Sequence, residues 1–144
     1  MKILFLNGPN LNLLGKREPD IYGNRTYADL ESYIRAFCAE LSIECEILQS
    51  NHEGILVDAI QGAMDRMDAI VINPAAYTHT SIAILDALKA VELPAVEVHL
   101  SDIAQREEFR RISYAGLACC ATFAGHGFEG YRMAAEFLIQ NKKH

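Results

Sequence analysis

The chain has 144 residues, 51% of them hydrophobic, which is the size of one domain with a substantial core and excludes a disordered polypeptide. Its formal charge of -6, with no long Lys/Arg run, argues against nucleic acid as a partner. No apolar stretch approaches a membrane span, and Met1-Lys2 followed by Ile3–Leu6 is too short for a secretory signal.

Ile3–Leu6 is a continuous apolar run ending in Asn7-Gly8-Pro9, which predicts a buried strand and then a loop. The connection from Gly8 to Arg25 is far longer than a usual strand-to-helix link and is dense in polar side chains, so a lid is expected at about residues 16–25. Thr26, with Asp29 three residues on, predicts a helix start, and Leu30, Ile34, Phe37 and Leu41 follow at helical spacing. Ile43–Leu48 predicts a second strand, and apolar residues from Glu53 to Met67 a second helix. Ala69–Ile72 is a third strand stopped by Asn73-Pro74, and a helix over Ser81 to Val91 comes next. Ala95–Val98 is a fourth strand ending at His99, with a short helical turn at Glu107–Arg111. Leu117–Phe123 predicts a fifth strand and Gly130 to Gln140 a closing helix.

Strands apolar on both faces require helices on both sides, so the elements predict a parallel, doubly wound sheet. The natural topology is a flavodoxin-like α/β/α sandwich of five strands in order 2-1-3-4-5, with residues 1–144 forming one domain. Cys38, Cys45, Cys119 and Cys120 form no C-x-x-C and no zinc spacing. The adjacent pair Cys119-Cys120, inside an apolar run, is expected as buried free thiols of a reduced, cytoplasmic protein.

Asn7, Asn10, Asn73, His79, His99 and Ser101 all follow strand ends that this topology gathers on one rim, where such sheets bind ligands. Glu97 and His99 are two apart on one strand and share a face, so the carboxylate can orient the imidazole and favour its protonated form, making His99 an acid. The plainer reading of Glu97 is a hydrated residue at the sheet edge. Tyr22 shares the long loop with Arg17; a guanidinium about 4 Å from a phenolate contributes about 4 kcal/mol at an effective dielectric of ~20. That lowers a phenol pKa of ~10 by up to ~3 before desolvation opposes it. On the residues alone, a packing role is the commoner one for a tyrosine. His79 either braces its turn or binds an anion beside a helix capped by Thr80 or Ser81. His52 and His126 read as surface or packing residues. Dinucleotide, P-loop and nucleophile-elbow motifs are all missing, which points to side-chain chemistry with no cofactor and no metal. The competing reading is a non-catalytic flavodoxin-like module that binds a flavin or a small anion.

The ordered motifs favour the catalytic reading. Asn7-Gly8-Pro9-Asn10-Leu11-Asn12-Leu13-Leu14-Gly15 is followed by Arg17-Glu18-Pro19 and Tyr22-Gly23. Then come Asn73-Pro74-Ala75-Ala76-Tyr77-Thr78-His79-Thr80-Ser81, Glu97-Val98-His99-Leu100-Ser101 and Arg106-Glu107-Glu108-Phe109-Arg110. In this order and spacing the chain resembles the type II 3-dehydroquinate dehydratases over nearly its whole length. The resemblance implies elimination of water from 3-dehydroquinate to 3-dehydroshikimate through an enolate, in the shikimate route to chorismate and aromatic amino acids. It implies Tyr22 as the tyrosinate base, lowered in pKa by Arg17, with Asn10 holding a water near the enolate oxygen. His99, oriented by Glu97, is then the acid. Asn73, His79, Leu100, Ser101 and Arg110 are implied in substrate binding, with Arg106 helping at the lid. Asp86 is implied in the neighbouring subunit's site, in trimers grouped into a dodecamer. Asp102 and Ala104 depart from the family pattern, and Asp102 is expected either to weaken substrate binding or to cap the turn at Glu107–Arg111.

Overall fold

The structure of the protein, a computed structural model, describes residues 1–16 and 24–142. Its described elements in chain order are β1 (Lys2–Asn7), α1 (Tyr27–Glu40), β2 (Glu44–Gln49), α2 (Glu53–Ala63), β3 (Ala69–Asn73), α3 (Ile82–Val91), β4 (Ala95–His99), β5 (Ala121–Ala124) and α4 (Glu129–Gln140). The strands are all parallel, in the order β2-β1-β3-β4-β5, which is the expected flavodoxin-like arrangement.

Alternation along the three central strands divides the core between the two faces. Ile3, Phe5, Val71, Val96 and Val98 pack with Leu30, Ile34 and Phe37 of α1 and with Tyr131 and Leu138 of α4. Leu4, Leu6, Ile70 and Ile72 pack on the other side with Leu56 and Ile60 of α2 and with Ile84 and Leu88 of α3. Residues 3–7 of β1 and all of β3 and β4 are buried, whereas the edge strands β2 and β5 are partly open. Thr26 forms a complete capping box with Asp29, as expected of that pair. No helix among the described residues is long and apolar enough to cross a membrane.

Three expectations need correction. The second helix stops at Ala63, because Asp65 turns into the left-handed region (φ 66°); Met67 reaches the core from that turn. The fifth strand is shorter than the apolar run: Ala115–Ala118 forms a 3-10 turn that leaves Leu117 exposed, and pairing with β4 begins at Ala121. Apolarity without a period cannot tell a turn from a strand. Of the cysteines, Cys120 is exposed and Cys119 half-buried, because they lie on the way to an edge strand; all four are free.

Register brings the carboxyl ends of the central strands together. Asn7 of β1 is paired with Asn73 of β3, and His99 ends β4 on their other side. The β1–β3 contact continues one residue further, where the Gly8 N–H donates to the Asn73 carbonyl at 2.8 Å. A Cβ on Gly8 would lie 2.3 Å from the Pro74 carbonyl oxygen, so only glycine lets the two chain reversals meet.

Candidate active site

A cleft of about 110 Å³ opens where β1, β3 and β4 end. Asn10, Asn73, His79, His99, Ser101 and Arg110 line it, together with Leu100 and Arg106. A roomier depression of about 780 Å³ lies near Met1, Ala69 and Pro94, at the amino ends of the strands. Doubly wound sheets bind ligands at the carboxyl ends, which selects the smaller cleft.

Glu97 and His99 sit on one face of β4, with the Glu97 Oε2 2.9 Å from the His99 Nε2. Both are buried, at 1% and 5% exposure, so Glu97 is not an edge residue. A carboxylate in such a place must have partners. Thr122 donates to its Oε1 at 2.9 Å, and the Ser113 hydroxyl donates closely to its Oε2. Burial pushes the Glu97 carboxyl up, but the pull of His99, Ser113 and Thr122 is greater and holds it below the usual carboxylate range. Glu97 is therefore a carboxylate at neutral pH, facing the one imidazole nitrogen it can orient.

His79 ends the 3-10 turn Ala75–His79, and its Nδ1 lies 2.7 Å from the Ile112 carbonyl oxygen. A carbonyl only accepts, so Nδ1 carries the proton and Nε2 is an acceptor. Burial pushes the His79 pKa down; the Ile112 carbonyl opposes this, and His99 and Arg110 add to it. The ring is neutral at neutral pH. Ser81, rather than Thr80, caps α3, accepting from the Ile84 N–H at 2.9 Å.

Asn73 is held by an amide donation to the Tyr131 hydroxyl at 3.1 Å and by the Ala75 N–H donating to its Oδ1. The Tyr131 hydroxyl in turn donates to the Asn7 Oδ1 at 2.7 Å, closing a buried network that fixes the floor of the cleft. Asn10 adopts φ 69°, and its N–H donates to the Asn51 Oδ1 at 2.9 Å. Ser101 accepts from Arg106 at 3.4 Å, and Arg110 pairs with Glu107 at 2.8 Å.

Residues 1–139 match the family described as dehydroquinase class II. This chain belongs to that family. The class II dehydroquinase fold is matched by a type II dehydroquinase crystal structure from Butyrivibrio crossotus at 50% identity and a TM-score of 0.95, over 96% of this chain and 97% of that one. A 3-dehydroquinate dehydratase of Corynebacterium glutamicum is 55% identical over 99% of this chain and 98% of its own length. A catabolic 3-dehydroquinase of Verticillium alfalfae is 51% identical, over 99% of this chain and 95% of its own.

Within this dehydroquinase, eight of the expected site residues meet at one place: Asn10, Asn73, His79, Leu100, Ser101 and Arg110 line the cleft with His99, and Glu97 stands behind it. Tyr22 and Arg17 lie outside the described residues, as does most of the expected lid. Asp86 is exposed on α3 and does not line this cleft. Asp102 caps the 3-10 turn Ile103–Gln105, accepting from the Ala104 N–H at 3.0 Å, and not the turn at Glu107–Arg111. Ser113, Thr122, Tyr131 and Asn51 were not among the expected site residues. Each reaches the site from a remote stretch of sequence, and only the turn spacing of Ser113 to Gly116 carried any local signal.

Proposed function

We propose that this class II dehydroquinase is a 3-dehydroquinate dehydratase that works through an enolate. Tyr22, as tyrosinate, removes a proton alpha to the ketone, and the electron pair moves onto the carbonyl oxygen. Arg17 lowers the Tyr22 pKa, and Asn10 holds a water that stabilises the enolate oxygen. The enolate then expels the hydroxyl at the beta carbon, His99 gives that oxygen its proton, and water leaves with formation of the conjugated alkene. Asn73, His79, Arg110 and the backbone at Leu100 and Ser101 hold the hydroxyls and carboxylate of the substrate. Asp86 enters the site of a neighbouring subunit in trimers that build a dodecamer.

The observation that carries this reading is the buried Glu97–His99 pair facing a polar cleft in a chain whose residues 1–139 match the family. An ionised Glu97, 2.9 Å from the His99 Nε2, holds that ring in place at the cleft, and the neutral His79 has an acceptor nitrogen suited to a substrate hydroxyl.

Incubation of the purified protein with 3-dehydroquinate should produce the enone absorbance of 3-dehydroshikimate, without added cofactor. Tyr22→Phe should abolish that turnover while leaving the fold and assembly intact. Near-normal kcat in Tyr22→Phe would remove Tyr22 as the base. No turnover in the parent protein, together with a flavin's visible absorbance, would favour a binding module instead.

A further inference from the structure

We propose that Ser113 and Thr122 are positioning residues for the acid, their hydroxyls locking the Glu97 carboxylate against His99. The proposal rests on the assignment of His99 as the acid of the dehydration.

A carboxylate accepts only, so Ser113 and Thr122 must both be donors to it. Thr122 comes from β5 and takes Oε1, while Ser113 comes from the segment before the last 3-10 turn and takes the oxygen that faces His99. The Ser113 oxygen also accepts the Gly116 N–H at 2.9 Å, which fixes the hydroxyl so that its proton points at Glu97. A Cβ on Gly116 would sit 2.9 Å from the Glu97 Oε1 and 3.0 Å from the Ser113 Oγ, so glycine lets the turn close on the carboxylate. Together the two hydroxyls remove the rotational freedom that a lone glutamate would keep.

The same segment reaches the other histidine by a separate route. The Ile112 carbonyl accepts from His79, and the Tyr114 N–H donates to the Thr78 carbonyl at 2.9 Å. His79 is therefore held by backbone, and the Glu97–His99 pair by the Ser113 side chain. A change confined to the hydroxyl separates the two functions.

Among the described residues, the titratable groups facing the pair are His79, Arg106 and Arg110 on the cleft side and Cys119 in the turn before β5. Burial pushes the Cys119 thiol up to about 12, with the Glu97 charge adding to the effect. Tyr22, the proposed base, titrates alike in the parent and in every variant, so a difference between variant and parent below neutrality belongs to the pair and to His79. Donated hydrogen bonds favour the charged carboxylate. Without them Glu97 takes a proton at higher pH and releases its hold on His99.

The test is steady-state turnover of 3-dehydroquinate across acid to mildly alkaline pH by the full-length protein. Ser113→Ala, Ser113→Cys and Thr122→Val should each lower kcat by about tenfold. The acidic limb of the kcat profile should move to higher pH, and KM should stay within about twofold of the parent. Ser113→Thr and Thr122→Ser, which keep a hydroxyl, should recover most of the loss. Unchanged kcat and an unmoved limb, in variants of a parent that turns over, would overturn the proposal. A fall in kcat with a parallel rise in KM and no movement of the limb would overturn it too, because that pattern marks collapse of the segment holding His79. Thermal unfolding identifies any variant that fails to fold, and the near-isosteric Thr122→Val, which has no donor, then decides. A parent protein with no turnover at all refutes the enzymatic reading itself and is distinguishable from either result.

Discussion

At Glu97 two opposing effects meet on one side chain: the cost of burying a charge and the gain from pairing it. Pairing wins, since three donors converge on two oxygens and hold the carboxyl below its usual range. Removing the carboxylate leaves Ser113, Thr122 and His99 without their shared acceptor. Glu97→Ala should accordingly cost about 3 kcal/mol in equilibrium urea unfolding at neutral pH, and a loss under about 1 kcal/mol would show that the cluster carries little. The acid response has a definite sign. A folded pKa below the unfolded value of ~4.3 means that the contribution is complete above that value and is lost as pH falls through the folded one. Stability of the parent should therefore decline more steeply on the acid side than that of Glu97→Gln, and equal slopes would contradict this. The pairing of Glu97 with His99 was legible from their spacing of two on a strand. Ser113 and Thr122 were not, standing 16 and 25 residues away from Glu97.

Among the elements, the junction of β1 and β3 does the most to shape the cleft. Both strands end in asparagine, both chains reverse at once, and the Gly8 N–H ties the reversals together. Gly8→Ala would force a methyl group into the Pro74 carbonyl, and backbone cannot step aside as a flexible side chain does. That substitution should destabilise by about 3 kcal/mol, the upper part of the range for overpacking, and calorimetry of the variant measures it. A variant as stable as the parent would mean that this contact is not tight. Helix starts such as Thr26 were legible because capping is a local bargain between a side chain and the next turn. The end of α2 and the start of β5 were not, since both depend on where a turn finds room against the packed sheet.

For the whole molecule, the position of Asp86 yields a prediction about assembly. It is exposed on α3, outside the cleft. If each site borrows Asp86 from a neighbour, Tyr22→Phe and Asp86→Ala subunits, each inactive alone, should regain activity when co-assembled. Random mixing in equal amounts should restore roughly a quarter of the sites, because an Asp86→Ala subunit must meet a Tyr22→Phe neighbour on the correct side. No recovery in mixed particles, confirmed as mixed by mass spectrometry, would place Asp86 outside any shared site. Light scattering of the parent should give the mass of a dodecamer.

The order and hydrophobic pattern of the chain were enough to determine five parallel strands, their helices and the rim on which the polar residues gather, because alternating apolar runs leave few ways to bury both faces of a sheet. Motif spacing likewise singled out His99, Glu97, Asn73 and His79. Only the tertiary structure decided how Glu97 keeps its charge in the interior, which proton His79 carries and what holds Asn73. Those properties depend on partners brought close by folding, and the distance along a chain carries no record of them.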